Sequence, residues 1–186
     1  MTRQNGTAIS RGRRPAAAAA ILIVSLAVAP LGCKRHRQAS AQTEEDGLAT
    51  IVHAADPHTA SQLVSGFYAV EANAWRWTAG KFSVLLRVPR NAASKGATLQ
   101  LKLTIPDVAL AQEKAITLSA SLNGAALAPE TYTHAGEFAY RREIPAAQLD
   151  GDSVSVDFSV DKTIPPNATD RRELGVIVSE VGFRPK

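Results

Sequence analysis

The chain has 186 residues, with 21 Lys+Arg against 17 Asp+Glu, 5% aromatic residues and one cysteine. That length holds one domain with extensions, and a lone cysteine excludes an internal disulfide. Four of the 21 cations (Arg3, Arg11, Arg13, Arg14) precede Cys33 and no acid does, which leaves 17 cations against 17 acids; a balanced remainder gives no support for nucleic-acid binding, which needs a clustered basic face.

Residues 16–29, AAAAAILIVSLAVA, form a fourteen-residue apolar run behind those arginines. A comfortable membrane span needs about 20 residues, so the basic, then apolar, then small-residue layout reads as an export signal over residues 1–32; a short transmembrane anchor is the less favoured reading of the same segment. The run ends in APLGC, and Leu31-Gly32-Cys33 resembles the lipobox of bacterial lipoproteins, although Pro30 stands where Leu or Val is usual. The resemblance implies lipidation of Cys33 and a chain held on a bacterial envelope membrane, since each buried CH₂ contributes about 0.8 kcal/mol. Residues 33–61 are then the anchor site and a tether. Its KRHR segment, 34–37, suits either anionic head groups or a solvated spacer, and the polar stretch 38–61 leaves room for one turn or short strand near 48–53.

From residue 62 the period becomes two. KFSVLLRVP places Phe82, Val84, Leu86 and Val88 on one face. ATLQLKLTIP sets Leu99, Leu101, Leu103 and Ile105 against Thr98, Gln100, Lys102 and Thr104. AITLSASL follows, then Asn123-Gly124, a type I′ hairpin signal because both turn residues need positive φ. GEFAYRREI alternates weakly through Phe138 and Tyr140, AAQL at 146–149 suits one helical turn, and DSVSVDFSV alternates strictly. ELGVIVSEVGF closes the pattern, with a bulge expected at Gly182. Seven to nine short strands parted by Gly, Pro and Asn turns predict an all-β, antiparallel, jelly-roll-like β-sandwich over residues 62–186.

Five segments, GFYAVEANAWRWTAGKFSV, TLQLKLTIP, LNG, DGDSVSVDFSVDKTIPP and DRRELGVIVSEVGF, occur in that order. Together they resemble a bacterial jelly-roll-like domain appended to, or encoded near, cell-surface glycosyltransferases. The likeness covers about residues 65–184 and implies a fold akin to carbohydrate-binding sandwiches and a glycan-related setting, without a defined ligand. The sequence departs from that setting in carrying no transferase.

Signals for catalysis are thin. No nucleophile elbow, phosphate-binding glycine loop or metal-ligand spacing is present, and no cofactor is expected. His53 and His58, with Asp56 between them, are a weak metal candidate; three of the four histidines lie before residue 62. LDGDS, 149–153, offers calcium-type oxygens but reads first as a turn, and NAT, 167–169, reads as loop. Dispersed carboxylates acting as a hydrolase pair are ranked last.

Trp75 and Trp77, the two tryptophans of the chain, share a face if AWRWT is extended, with Arg76 on the other. The scarcity of other large aromatics favours the core for Trp77, while the turn-like EANA places Trp75 at a rim, where a ring packs against sugar C–H faces. Arg76, Glu71, Asp161, Arg172 and Glu173 are the polar members of the resemblance. An ion-pair network is favoured for them over a ligand site, with Trp75, Arg76, Glu71, Arg172 and Glu173 kept as the candidate binding set. The leading reading is an exported, lipid-anchored, non-catalytic module that binds glycan or supports surface polysaccharide assembly. A structural envelope lipoprotein that binds another protein is the alternative.

Overall fold

The computed structural model describes residues 47–111 and 113–186. Cys33, the expected export signal and residues 33–46 of the expected tether lie outside the described residues. No helix among the described residues is long and apolar enough to cross a membrane.

Among the described residues, nine strands form the domain: β1 (Ile51–His53), β2 (Leu63–Glu71), β3 (Trp75–Arg87), β4 (Ala97–Ile105), β5 (Ile116–Leu122), β6 (Ala125–Tyr132), β7 (Gly136–Ile144), β8 (Ser153–Val160) and β9 (Ile177–Pro185). All pairings between them are antiparallel, so the expected all-β class holds. They follow one continuous order, β6-β5-β8-β3-β9-β4-β7, with β1 added on β9 and β2 on β3. Between β3 and β4 runs a one-turn helix, α1 (Ala92–Lys95), and between β4 and β5 another, α2 (Asp107–Leu110).

The sandwich arises because β3 changes partners along its length. Residues 81–87 pair with β8, whereas Arg76 and Trp77 pair with β9. The sheet turns a corner within this strand and folds into two layers, β7-β4-β9 with the start of β3, and β6-β5-β8 with its end. Gly66 of β2 lets the neighbouring strand follow the turn. Its φ is +74°, and a Cβ there would sit 2.0 Å from the Lys81 carbonyl oxygen, so no other residue fits.

The core lies between the layers. Phe82 stacks on Phe158 with centroids 5.0 Å apart, and Phe158 meets Tyr140 of the opposite layer edge-on at 6.4 Å. The inward residues of β4, β5 and β8 expected from alternation are all buried. Asn123 and Gly124 both take positive φ, 48° and 84°, as the hairpin requires. The seam between end strands β6 and β7 is closed by side chains: Tyr140 Oη donates to the Ala128 carbonyl at 2.9 Å, and Arg142 donates to the carbonyls of Ala128 and Pro129 and to Glu130.

Three features differ from the sequence expectation. The described domain begins before residue 62: Ile51, Val52 and His53 pair with Gly182, Val181 and Glu180, Val52 is fully buried, and buried Gln62 bonds both polar atoms of its side chain to the Ala49 backbone. The short strand allowed near 48–53 is thus present, but it joins the sheet of the domain rather than standing in a tether, with Val52 as its one inward position. β6, the second strand of the hairpin that Asn123-Gly124 predicts, shows no alternation of its own because AALAPETY contains Pro129 and few β-formers; an end strand tolerates a proline, since it needs ladder bonds on one side only. The irregularity of β9 falls opposite Lys102/Leu103, at Ser179, rather than at Gly182, which is instead where Ile51 packs closest, 2.6 Å from a Cβ placed there.

Candidate functional site

Counting back by twos from buried Phe82 puts 80, 78 and 76 inward, and therefore Trp77 and Trp75 outward. The structure follows that parity. Thr78 is fully buried and ties β3 to Val176, its hydroxyl donating to the carbonyl at 3.2 Å and accepting from the amide at 3.1 Å. Trp77 lies opposite Ile177, whose neighbours Val176 and Val178 are buried. Both tryptophans are half-buried and meet edge-on with centroids 6.3 Å apart. The core role expected for Trp77 is thus corrected: the inward slots of this stretch hold Arg76 and Thr78, and the rings cover the outer face.

Trp75 closes one end of a groove of about 470 Å³ on the outer face of the β3-β9-β4-β7 layer. The groove is lined by Trp75, Gln100, Lys102, Thr104, Glu137, Arg141, Ile177 and Ser179, with Phe138 and Ala139 contributing. The strand pairings order these side chains into rows. Thr104 pairs with Ile177 on one side and Glu137 on the other; Gln100 pairs with Gly182 and Arg141. Next to the groove, Glu180 is 7% exposed and is covered by Lys102 at 3.2 Å, His53 at 3.5 Å and Arg184. Arg184 also donates to the Gln100 side-chain oxygen at 3.2 Å.

The other residues singled out in the sequence do not gather around Trp75 as ligands. Arg76 holds backbone: its guanidinium donates to the carbonyls of Ala54, at 2.7 Å, and Tyr68, at 2.8 Å. Glu71, opposite Trp75 across the β2–β3 turn, accepts from Arg172 at 2.8 Å. Arg172 also forks onto Asp170 and lies 5.2 Å above the Tyr68 ring, and the Tyr68 hydroxyl donates to the Glu173 carbonyl. This network fastens the 161–175 segment to β2. Hydrogen bonds from Arg172 hold the Asp170 carboxyl down at about 2, and the same two carboxylates push the Arg172 guanidinium further up. Glu173 is exposed and lines a separate depression with Asp161, Thr163 and Lys81. Asp161 itself accepts the Thr117 amide at 2.6 Å.

A further depression, of about 440 Å³, lies on the outer face of the other layer. Ser65, Ser83, Ser119, Ser121 and Ser159 line it with Lys81 and Asp157. Phe82 and Phe158 lie beneath it but are buried, so it offers hydroxyls without an accessible stacking ring. Such contacts exchange water hydrogen bonds for protein ones at a net gain of about 1 kcal/mol each, whereas a half-exposed indole adds apolar area. The Trp75 groove is therefore the stronger candidate. Its polar residues were visible in the sequence as the outward set of β4 and β7, but nothing in the spacing marks them as facing one tryptophan. At 53, 56 and 58 the histidine candidate resolves into structure: His53 faces Glu180, and Asp56 accepts the His58 amide. LDGDS bends at Gly151, with φ +87°, and leads into β8 at Ser153.

No protein-family model and no curated protein matches the chain. Among solved structures it is similar to an exo-β-1,3-galactanase from Phanerochaete chrysosporium (TM-score 0.40, 9% identity, 74% of this chain and 29% of that one). It is also similar to a structure of CBM51-2 in complex with GlcNAc and INT domains from Clostridium perfringens ZmpB (TM-score 0.36, 11% identity, 75% and 28%). A third is a family 35 carbohydrate-binding module from an environmental isolate (TM-score 0.32, 13% identity, 77% and 94%). The chain thus spans less than a third of the first two. These likenesses are remote and assign no role to any residue here.

Proposed function

We propose that the domain is a non-catalytic glycan-binding module with the Trp75 groove as its site. The observation that carries this reading is a half-exposed indole at the end of a trough whose floor offers amide, hydroxyl, ammonium, carboxylate and guanidinium groups. A pyranose has the matching chemistry: C–H faces for the ring and hydroxyls for the polar groups. Most of those groups stand on β4, β7 and β9, strands paired in register, a scaffold suited to holding them in place before a ligand arrives. We place the module on a lipid anchor at Cys33, where envelope polysaccharide would be within its reach. The test is a glycan array probed with the full chain and with Trp75→Ala. Binding that Trp75→Ala abolishes, with the variant still folded, supports the reading; equal binding by both proteins removes the groove from it.

A further inference from the structure

Charge is uneven along this groove. On β7, Glu137 and Arg141 are four residues apart, about 13 Å in an extended strand, too far for a direct pair. Among the described residues neither makes an ion pair. At the Arg141 end, four cations (Lys102, Arg141, Arg184 and Lys186) accompany two carboxylates, buried Glu180 and exposed Glu143, the latter paired with Lys186. Arg141 pairs in register with Gln100, whose side-chain oxygen accepts from Arg184, so the two guanidiniums flank one amide. This end therefore carries an excess of about two positive charges on a chain that is balanced beyond Cys33. A neutral sugar has no use for that excess, and an unpaired guanidinium in a trough suits a bidentate anion.

Resting on the glycan reading above, we propose that the groove takes an acidic saccharide, with its anionic group on Arg141 and an uncharged ring on Trp75. Three strand spacings separate β3 from β7, about 14 Å, so stacking and charge contacts fall on different residues of one oligosaccharide. The anionic group is a carboxylate, sulfate or phosphate. Each presents the oxygens that a guanidinium fork accepts, and the array separates them.

The test probes full-chain protein with immobilised neutral, uronic-acid, sulfated and phosphorylated saccharides, at low and high salt, beside Arg141→Gln and Trp75→Ala. Arg141 is exposed, so its variant keeps the fold, checked by urea denaturation. The expected hits are acidic members of one class. They weaken with salt and weaken about tenfold or more in Arg141→Gln, the loss of one charge-assisted pair; Trp75→Ala loses them. If neutral members bind as well as acidic ones and Arg141→Gln is unchanged, the acidic assignment falls and the glycan reading stands. If no saccharide binds, both fall. If acidic binding survives Trp75→Ala while vanishing in Arg141→Gln, the contact is charge alone and the two-point arrangement is wrong.

Discussion

At Trp77 the hydrophobicity of a residue and the parity of its strand disagree, and parity wins. The register of β3 is fixed by Phe82, Val84 and Leu86, all buried, and a one-residue slip to bury Trp77 would expose all three. Thr78 tolerates the inward slot because its hydroxyl is fully bonded. A fully buried tryptophan truncated to alanine costs about 3–5 kcal/mol; half-exposed Trp77 should cost less, measured as a shift in urea midpoint for Trp77→Ala. A loss in the full range would contradict the outward placement. Asp170 gives a pH-dependent counterpart. Its folded pKa of about 2 lies below the unfolded value, so its contribution is present above about pH 4 and disappears as pH falls through 2. Asp170→Asn should therefore be less stable than the parent at neutral pH, with the gap closing between pH 4 and 2. A gap that stays constant across that window would mean that Arg172 does not act through the Asp170 charge.

The elements most legible in the sequence were those with one dry and one wet face. β4, β5 and β8 read correctly because each alternate side chain meets either the core or solvent, and Asn123-Gly124 located the hairpin between β5 and β6. Strand β1 was not legible as part of the fold, because three residues are too few for a period. Its evidence is tertiary: Val52 fills the core and Gln62 clamps Ala49 while donating to the Leu85 carbonyl at 2.7 Å. Burying a valine alone stabilises by about 1.5–3 kcal/mol. A chain starting at residue 62 should thus be less stable by at least that amount than one starting at 47, compared by chemical denaturation. Equal stability would show that β1 is dispensable.

For the molecule as a whole, the sequence disclosed class, strand number and a tryptophan-bearing corner, but not the groove. The groove needs β4 and β7, far from Trp75 in sequence, to be brought beside it by the sheet order; no local pattern encodes that meeting. Near the same corner, Glu71 and Arg172 form an ion pair that fastens the 161–175 segment to β2, and Arg76 holds the carbonyls of Ala54 and Tyr68, so the set is bracing rather than a ligand site. The proposed anchor is tested at this scale, since Cys33→Ser should move the protein from the membrane to the soluble fraction and end labelling by a fatty-acid probe. Unchanged fractionation, with no label on the parent protein, would remove the anchor. The central claim concerns the half-buried ring of Trp75. With two tryptophans in the chain, Trp77→Phe leaves Trp75 as the sole indole, and acrylamide quenching of its fluorescence reports access to the groove directly. A saturating saccharide taken from the array should shield Trp75 and lower the quenching constant. An unchanged constant, with saccharide demonstrably bound, would place the ligand elsewhere and contradict the assignment of the site.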